Sequence, residues 1–195
     1  MMRKIEREPM GLGWFVPGQD LVVAGAIGKI GVRAALEKKR DLLSARFSPL
    51  FMEKIEEALT ETLALTSEKL EALGASEWEP VEEGGILTAL WNISGAYGRG
   101  ITFSLLDIPV RQELIEVCEL LDLNPYRLWS GECVVMVTDH GQDLVRRLKE
   151  MGIRASVIGK VERGIARTMT GVGTTGYLER PQPDEMYKIC NEDKA

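Results

Sequence analysis

The sequence has little of what metal and redox chemistry needs: one histidine, His140, and three cysteines, Cys118, Cys133 and Cys190. A single imidazole excludes a His-rich zinc, iron or copper centre, and a Ser-His-Asp triad could rest only on His140. The cysteines lie far apart with no C-x-x-C pair. Neither a disulfide framework nor a zinc ribbon is encoded, and a reducing cytoplasm is the expected compartment. Long apolar runs are missing too. The longest, residues 21–27, is far too short to span a bilayer, and the charged start is no signal peptide, so no membrane partner is expected. Basic blocks do not exceed Lys38-Lys39-Arg40, and 24 Lys and Arg against 30 Asp and Glu give a net charge of −6. Nucleic acid, which needs a concentrated positive face, is therefore not an expected partner.

What is present is an ordinary globular mixture, 45% apolar and 28% charged over 195 residues. A domain of that size buries roughly 70% of its unfolded surface and needs no staple to fold. Residues 1–20, charged and then rich in Gly and Pro, read as a flexible entry segment, and 21–190 as the domain proper, with 191–195 a tail. Residues 21–27 have the short β-branched pattern of a strand buried on both faces, followed by a helix over 28–39. Ser48-Pro49 is a helix start, with the hydroxyl as cap and proline where no N–H bond is needed. Phe51, Ile55, Leu59 and Leu63 then repeat at i+4 and predict a helix to about Leu65, backed by a solvated acidic face.

A second helix is expected over 67–73, a loop over 75–83, and a helix from Gly84-Gly85 to about Gly98. A strand at 101–105, a helix over 109–122 and a strand at 132–138 follow. Asp139-x-x-Gln142 reads as a capping box opening a helix that ends at Met151-Gly152. Strands at 154–161 and 165–169, split by Glu162-Arg163-Gly164, look like a hairpin. Interleaved strands and helices closing on such a pair predict an α+β fold, a mixed β-sheet flanked by helices.

Three features could carry chemistry. Gly171-Val172-Gly173-Thr174-Thr175-Gly176 is a literal G-x-G-x-x-G, but it opens no long helix, as dinucleotide binding requires, and reads as a turn. Gly84-Gly85 is better placed, because backbone N–H groups and the helix dipole at a helix start attract anions. Glu79, Glu82 and Glu83 crowd the same turn; they would repel phosphate and could instead hold Mg²⁺ through oxygen. Gly84, Gly85, Glu79, Glu82 and Glu83 are thus candidate ligand residues, although close packing and dipole compensation explain the same residues. Cys190, near Lys188, is a candidate nucleophile with no base nearby. Cys118 and Cys133 fall on apolar stretches and read as core, as do Trp78, Trp91 and Trp129; His140 reads as a surface or capping residue. No metal site is expected.

The order of segments carries a further signal. Residues 83–90 (Glu-Gly-Gly-Ile-Leu-Thr-Ala-Leu) and 94–101 (Ser-Gly-Ala-Tyr-Gly-Arg-Gly-Ile) resemble the glycine-pair helix and following strand of the C-terminal domain of the AIR synthase-related superfamily. Residues 108–125, Ser130-Gly131-Glu132 and Ile158-Gly159-Lys160-Val161 are similar to the hydrogenase-maturation branch. Residues 17–28 resemble the strand with which the family's chain leaves its first domain, so the likeness covers about residues 17–189.

The resemblance implies the AIR synthase C-terminal-domain fold, normally one half of an ATP-using synthetase or dehydratase. Because the family's Mg-ATP ligands and dimer surface belong largely to the first domain, it implies a binding or accessory module. Such a module would have no cofactor of its own, and Mg-ATP only when a separately supplied ATP-binding domain completes the site; a homo-oligomer is the other expected partner. Two departures matter. Where the branch has Asp-Pro-Thr-Arg before its glycine pair, this chain has Glu79-Pro80-Val81-Glu82-Glu83, without the hydroxyl and cation that suit phosphate. The branch also ends in a Pro-Arg-Ile/Val-Cys tail whose cysteine carries the carbamoyl group. Lys188-Ile189-Cys190 is similar to it but has five residues beyond, so a maturation-type enzyme using Cys190 stands as the alternative, and a degenerate structural or self-associating domain as a second.

Overall fold

The computed structural model describes residues 8–191; the charged start at 1–7 and residues 192–195 of the tail expected at 191–195 lie outside them, while Asn191 ends the last helix. Strand β1 (Asp20–Gly25) leads to helices α1 (Lys29–Lys38), α2 (Arg40–Arg46), α3 (Pro49–Thr60) and α4 (Ser67–Ala72). Then come β2 (Glu77–Pro80), α5 (Gly85–Tyr97), β3 (Gly100–Ser104), α6 (Gln112–Leu120), β4 (Cys133–Thr138) and α7 (Gly141–Glu150). The chain closes with β5 (Ala155–Glu162), β6 (Arg167–Gly171), β7 (Thr174–Tyr177) and α8 (Met186–Asn191).

The strands form one seven-stranded sheet in the order β2-β4-β1-β5-β3-β6-β7. All pairs are antiparallel except β3 with β6, so the sheet is mixed and the α+β expectation holds. Strand β1 lies near its centre with Leu21 to Ala24 fully buried. Leu21 and Val23 face the cluster under α5, while Val22 and Ala24 face the cluster under α7, which is why this strand reads as continuously apolar. A third cluster, built from α1, α3, α6 and α8 around Leu128, stands apart from the sheet's two faces.

Several expectations need correction. Helix α3 stops at Thr60, not near Leu65. Lys29 donates to the Glu61 carbonyl and Arg33 Nη2 to the Leu59 carbonyl at 2.9 Å, closing off the helix's last acceptors. Leu63 therefore leaves the helical stripe and packs, with Leu65, on the α7 side of the sheet. The loop expected at 75–83 contains β2, which its register with β4 creates rather than its own propensity. Strands β5 and β6 are not a hairpin: β3 lies between them, and the true hairpin is β6–β7, with the G-x-G-x-x-G run as its turn and second strand. Asp139 does not cap α7. His140 holds the cap position, and Asp20 of β1 accepts from the Gly141 N–H at 3.0 Å.

Candidate functional site

Lys29 opens α1, a position where the helix dipole disfavours a cation, and its side chain is only 3% exposed. Burying an ammonium is costly unless its donors are met. Two acceptors meet it, the Glu61 carbonyl at the end of α3 and Glu132 Oε2 at 3.1 Å. An ammonium has three donors, so among the described residues one is left, and Lys29 lines a cleft of about 190 Å³ with Gly25, Ala26, Glu61, Glu132 and Arg154. Arg154 has no carboxylate partner among the described residues. The Glu132 carboxylate, 43% exposed, stands at the mouth.

The local sequence explains this geometry. Gly28 takes a φ of 78°, turning the chain from β1 into α1, and its N–H donates to Ser130 Oγ at 2.8 Å. The Gly31 N–H donates to the Trp129 carbonyl at 3.1 Å, and a Cβ on Gly31 would stand 2.2 Å from the Leu128 side chain. The 128–132 loop is thereby locked onto the start of α1, which sets Glu132 beside Lys29. Past Glu61, Thr62 and Glu132 the cleft widens into a groove of about 440 Å³ along α1, floored by Leu36 and Leu59 and flanked by Arg33 and by the Arg40–Glu56 ion pair. This is the size range of small-molecule sites.

The residues singled out from the sequence gather only in part. Gly84 and Gly85 start α5 with φ of 82° and 67°, as the helix start required. The Gly84 N–H is already engaged, donating to Asp184 Oδ2 at 2.7 Å, while Asp184 Oδ1 accepts from the Met186 N–H at 2.8 Å. Asp184 is 3% exposed, so the chain's own carboxylate sits where an anion was expected. Gly85 allows a close approach: a Cβ there would be 2.5 Å from the Tyr126 carbonyl oxygen. Glu82 is exposed. Glu83 accepts from the Tyr187 hydroxyl at 2.7 Å, and that hydrogen bond to the carboxylate raises the tyrosine's pKa. Glu79 is on β2, buried and paired in register with Val135.

Cys190, partly exposed, lies at the end of α8, away from this turn's glutamates in sequence and on a helix that packs against α1. Lys188 is tied to Glu185 at 2.5 Å and to the Asp122 carbonyl at 3.2 Å. Burial pushes the Cys118 and Cys133 thiols up to about 12, so both are inert core residues, as read. Among the described residues no cluster of three or more His, Cys, Asp or Glu side chains is arranged to hold a metal ion. No helix among them is long and apolar enough to cross a membrane.

Sequence reasoning named neither Lys29 nor Asp184. The one local signal for Lys29 was a cation in the first turn of a helix, in an otherwise small and apolar stretch. Asp184 gave none, being a lone acid in a Pro-rich coil.

No family model matches the chain. A curated relative, carbamoyl dehydratase HypE from Rhodobacter capsulatus, is 25% identical over 189 residues, which is 93% of this chain and 53% of the relative. A crystal structure of hydrogenase maturation protein HypE in complex with ATP has a TM-score of 0.68 at 20% identity, covering 90% of this chain and 54% of that one. Thiamine monophosphate kinase from Aquifex aeolicus has a TM-score of 0.59 at 19% identity, with 88% and 54% covered. The chain thus spans about half the length of the proteins it matches.

Proposed function

We propose that the chain, an AIR synthase-related domain corresponding to the C-terminal half of such proteins, is a binding module whose ligand is a small anion carried on Lys29. The supporting observation is Lys29 itself, a buried cation at a helix start, with three donors for two acceptors among the described residues and in an open cleft. A phosphate or carboxylate oxygen would take the remaining donor and face Arg154, while any apolar body would lie along Leu36 and Leu59. Charge-assisted hydrogen bonds of this kind are about twice as strong as neutral ones.

The module is accessory in this reading. One relative is a crystal structure in complex with ATP, and the stretch matched here is about half of it. A nucleotide-binding half would supply Mg-ATP, and this domain the second substrate. Isothermal titration of the chain with inorganic phosphate, carbamoyl phosphate and Mg-ATP, alone and with a nucleotide-binding half supplied separately, tests the reading. Phosphate-bearing ligands are expected to bind the chain alone, and Lys29→Ala to weaken them by about tenfold or more. Equal binding by Lys29→Ala, or none by either protein, would overturn it.

A further inference from the structure

We propose that the outer edge of β7 is a self-association site, pairing antiparallel with β7 of a second copy across a two-fold axis at Gly176. The two edges of the sheet are treated differently. On β2 the edge carries Glu77, Glu79 and Pro80, and the entry segment crosses it: the Met10 and Gly11 N–H groups donate to Glu77 Oε1, and Ser76 Oγ donates to the Trp14 carbonyl. Charges, proline and covering segments are how sheet edges are kept from pairing. Among the described residues the β7 edge has none of these. Residues 168–178 contain no charged residue and no proline, in a chain whose net charge is −6. Thr174, Thr175 and Tyr177 are exposed, with Tyr177 at 75%, and Val172 at the turn is 80% exposed.

Main-chain alternation fixes the register. The Leu178 N–H donates inward to the Arg167 carbonyl at 2.8 Å, so Gly176 and Thr174 also turn their polar groups toward β6, and Thr175 and Tyr177 turn theirs to the open edge. A two-fold centred on Gly176 sets Thr175 against Tyr177 of the partner copy, and the reverse, and uses every outward group of both strands. Gly176 then faces its own mate in a closely spaced pair that makes no hydrogen bond. Within the chain nothing calls for a glycine here: its φ is not in the left-handed region, and a Cβ would meet nothing within 4 Å. Glycine in a strand interior otherwise weakens the strand, and it marks places where another backbone comes close. A second copy is the favoured occupant because an uncharged edge matches itself, whereas the protein's acidic surfaces repel elsewhere. The contact is small, so the dimer is weak.

Sedimentation equilibrium over about micromolar to millimolar protein tests the proposal. Wild type is expected to show a monomer–dimer equilibrium. Thr175→Pro, which removes an outward N–H and no ladder bond, weakens it by about tenfold or more. Gly176→Cys in a Cys190→Ser background is expected to form an intermolecular disulfide under mild oxidation, while Thr174→Cys in the same background stays uncrosslinked. A wild type that remains monomeric throughout, which is also what an edge reserved for another protein's strand would give, overturns the proposal. So does a dimer indifferent to Thr175→Pro or a Gly176→Cys variant that does not crosslink.

Discussion

At the scale of single residues, the molecule separates its cysteines by environment. Cys118 and Cys133 lie in different clusters and are almost wholly buried, whereas Cys190 is reachable. Their native thiols ionise only near pH 12, but in the unfolded chain they ionise above about 8.5. The folded state therefore holds protons that the unfolded state gives up. The stability these thiols contribute is fully present below about pH 8.5 and declines as pH rises toward 12, by up to about 1.4 kcal/mol per pH unit for each thiol. Urea midpoints at pH 8 and pH 10 should show that fall. Iodoacetamide at pH 8 should modify Cys190 in the native protein and Cys118 and Cys133 only after denaturation. Both core cysteines were legible in the sequence because apolar neighbours announce burial. Lys29 was not, because its partners come from residues 61 and 132, brought together only by the fold.

At the scale of elements, the glycine pair of α5 shows how a motif can be read correctly and its use missed. Two glycines before an apolar stripe predict a helix start, and the helix is there. What the motif accommodates is the chain's own backbone at 126–128 and the carboxylate of Asp184. Gly85→Ala should therefore destabilise the fold by about 2–4 kcal/mol, since both the positive φ and the 2.5 Å approach to the Tyr126 carbonyl oppose a Cβ. Chemical denaturation measures this directly; an alanine variant as stable as wild type would mean the turn has another packing. Long periodic elements such as α5 and α7 could be read because their pattern is local. Strands β2 and β7 could not: each has four residues, β2 alternates over too short a run and ends in proline, and β7 does not alternate apolar with polar side chains. The order β5-β3-β6 was hidden for a related reason, since a short Glu-Arg-Gly link suits a hairpin and only the parallel pairing with β3 excludes it.

At the scale of the whole molecule, one mixed sheet supports two opposed clusters, and a helical cluster stands beside it. The candidate cleft lies where these parts meet: the turn after β1, the end of α3, the start of β4 and the approach to β5. Such a seam brings a buried cation to an open surface, which neither a sheet face nor a helix face does alone. The fold class and the relationship were legible because many weak segment likenesses kept their order along the chain. The cleft was not, since it belongs to no single segment. The most direct test is a two-dimensional amide NMR titration with inorganic phosphate. The cleft reading expects saturable shifts at Gly25, Ala26, Lys29, Glu132, Gly152 and Arg154, abolished in Lys29→Ala. Saturable shifts centred instead on Gly84, Gly85 and Asp184, or no saturable shifts in either protein, would contradict it.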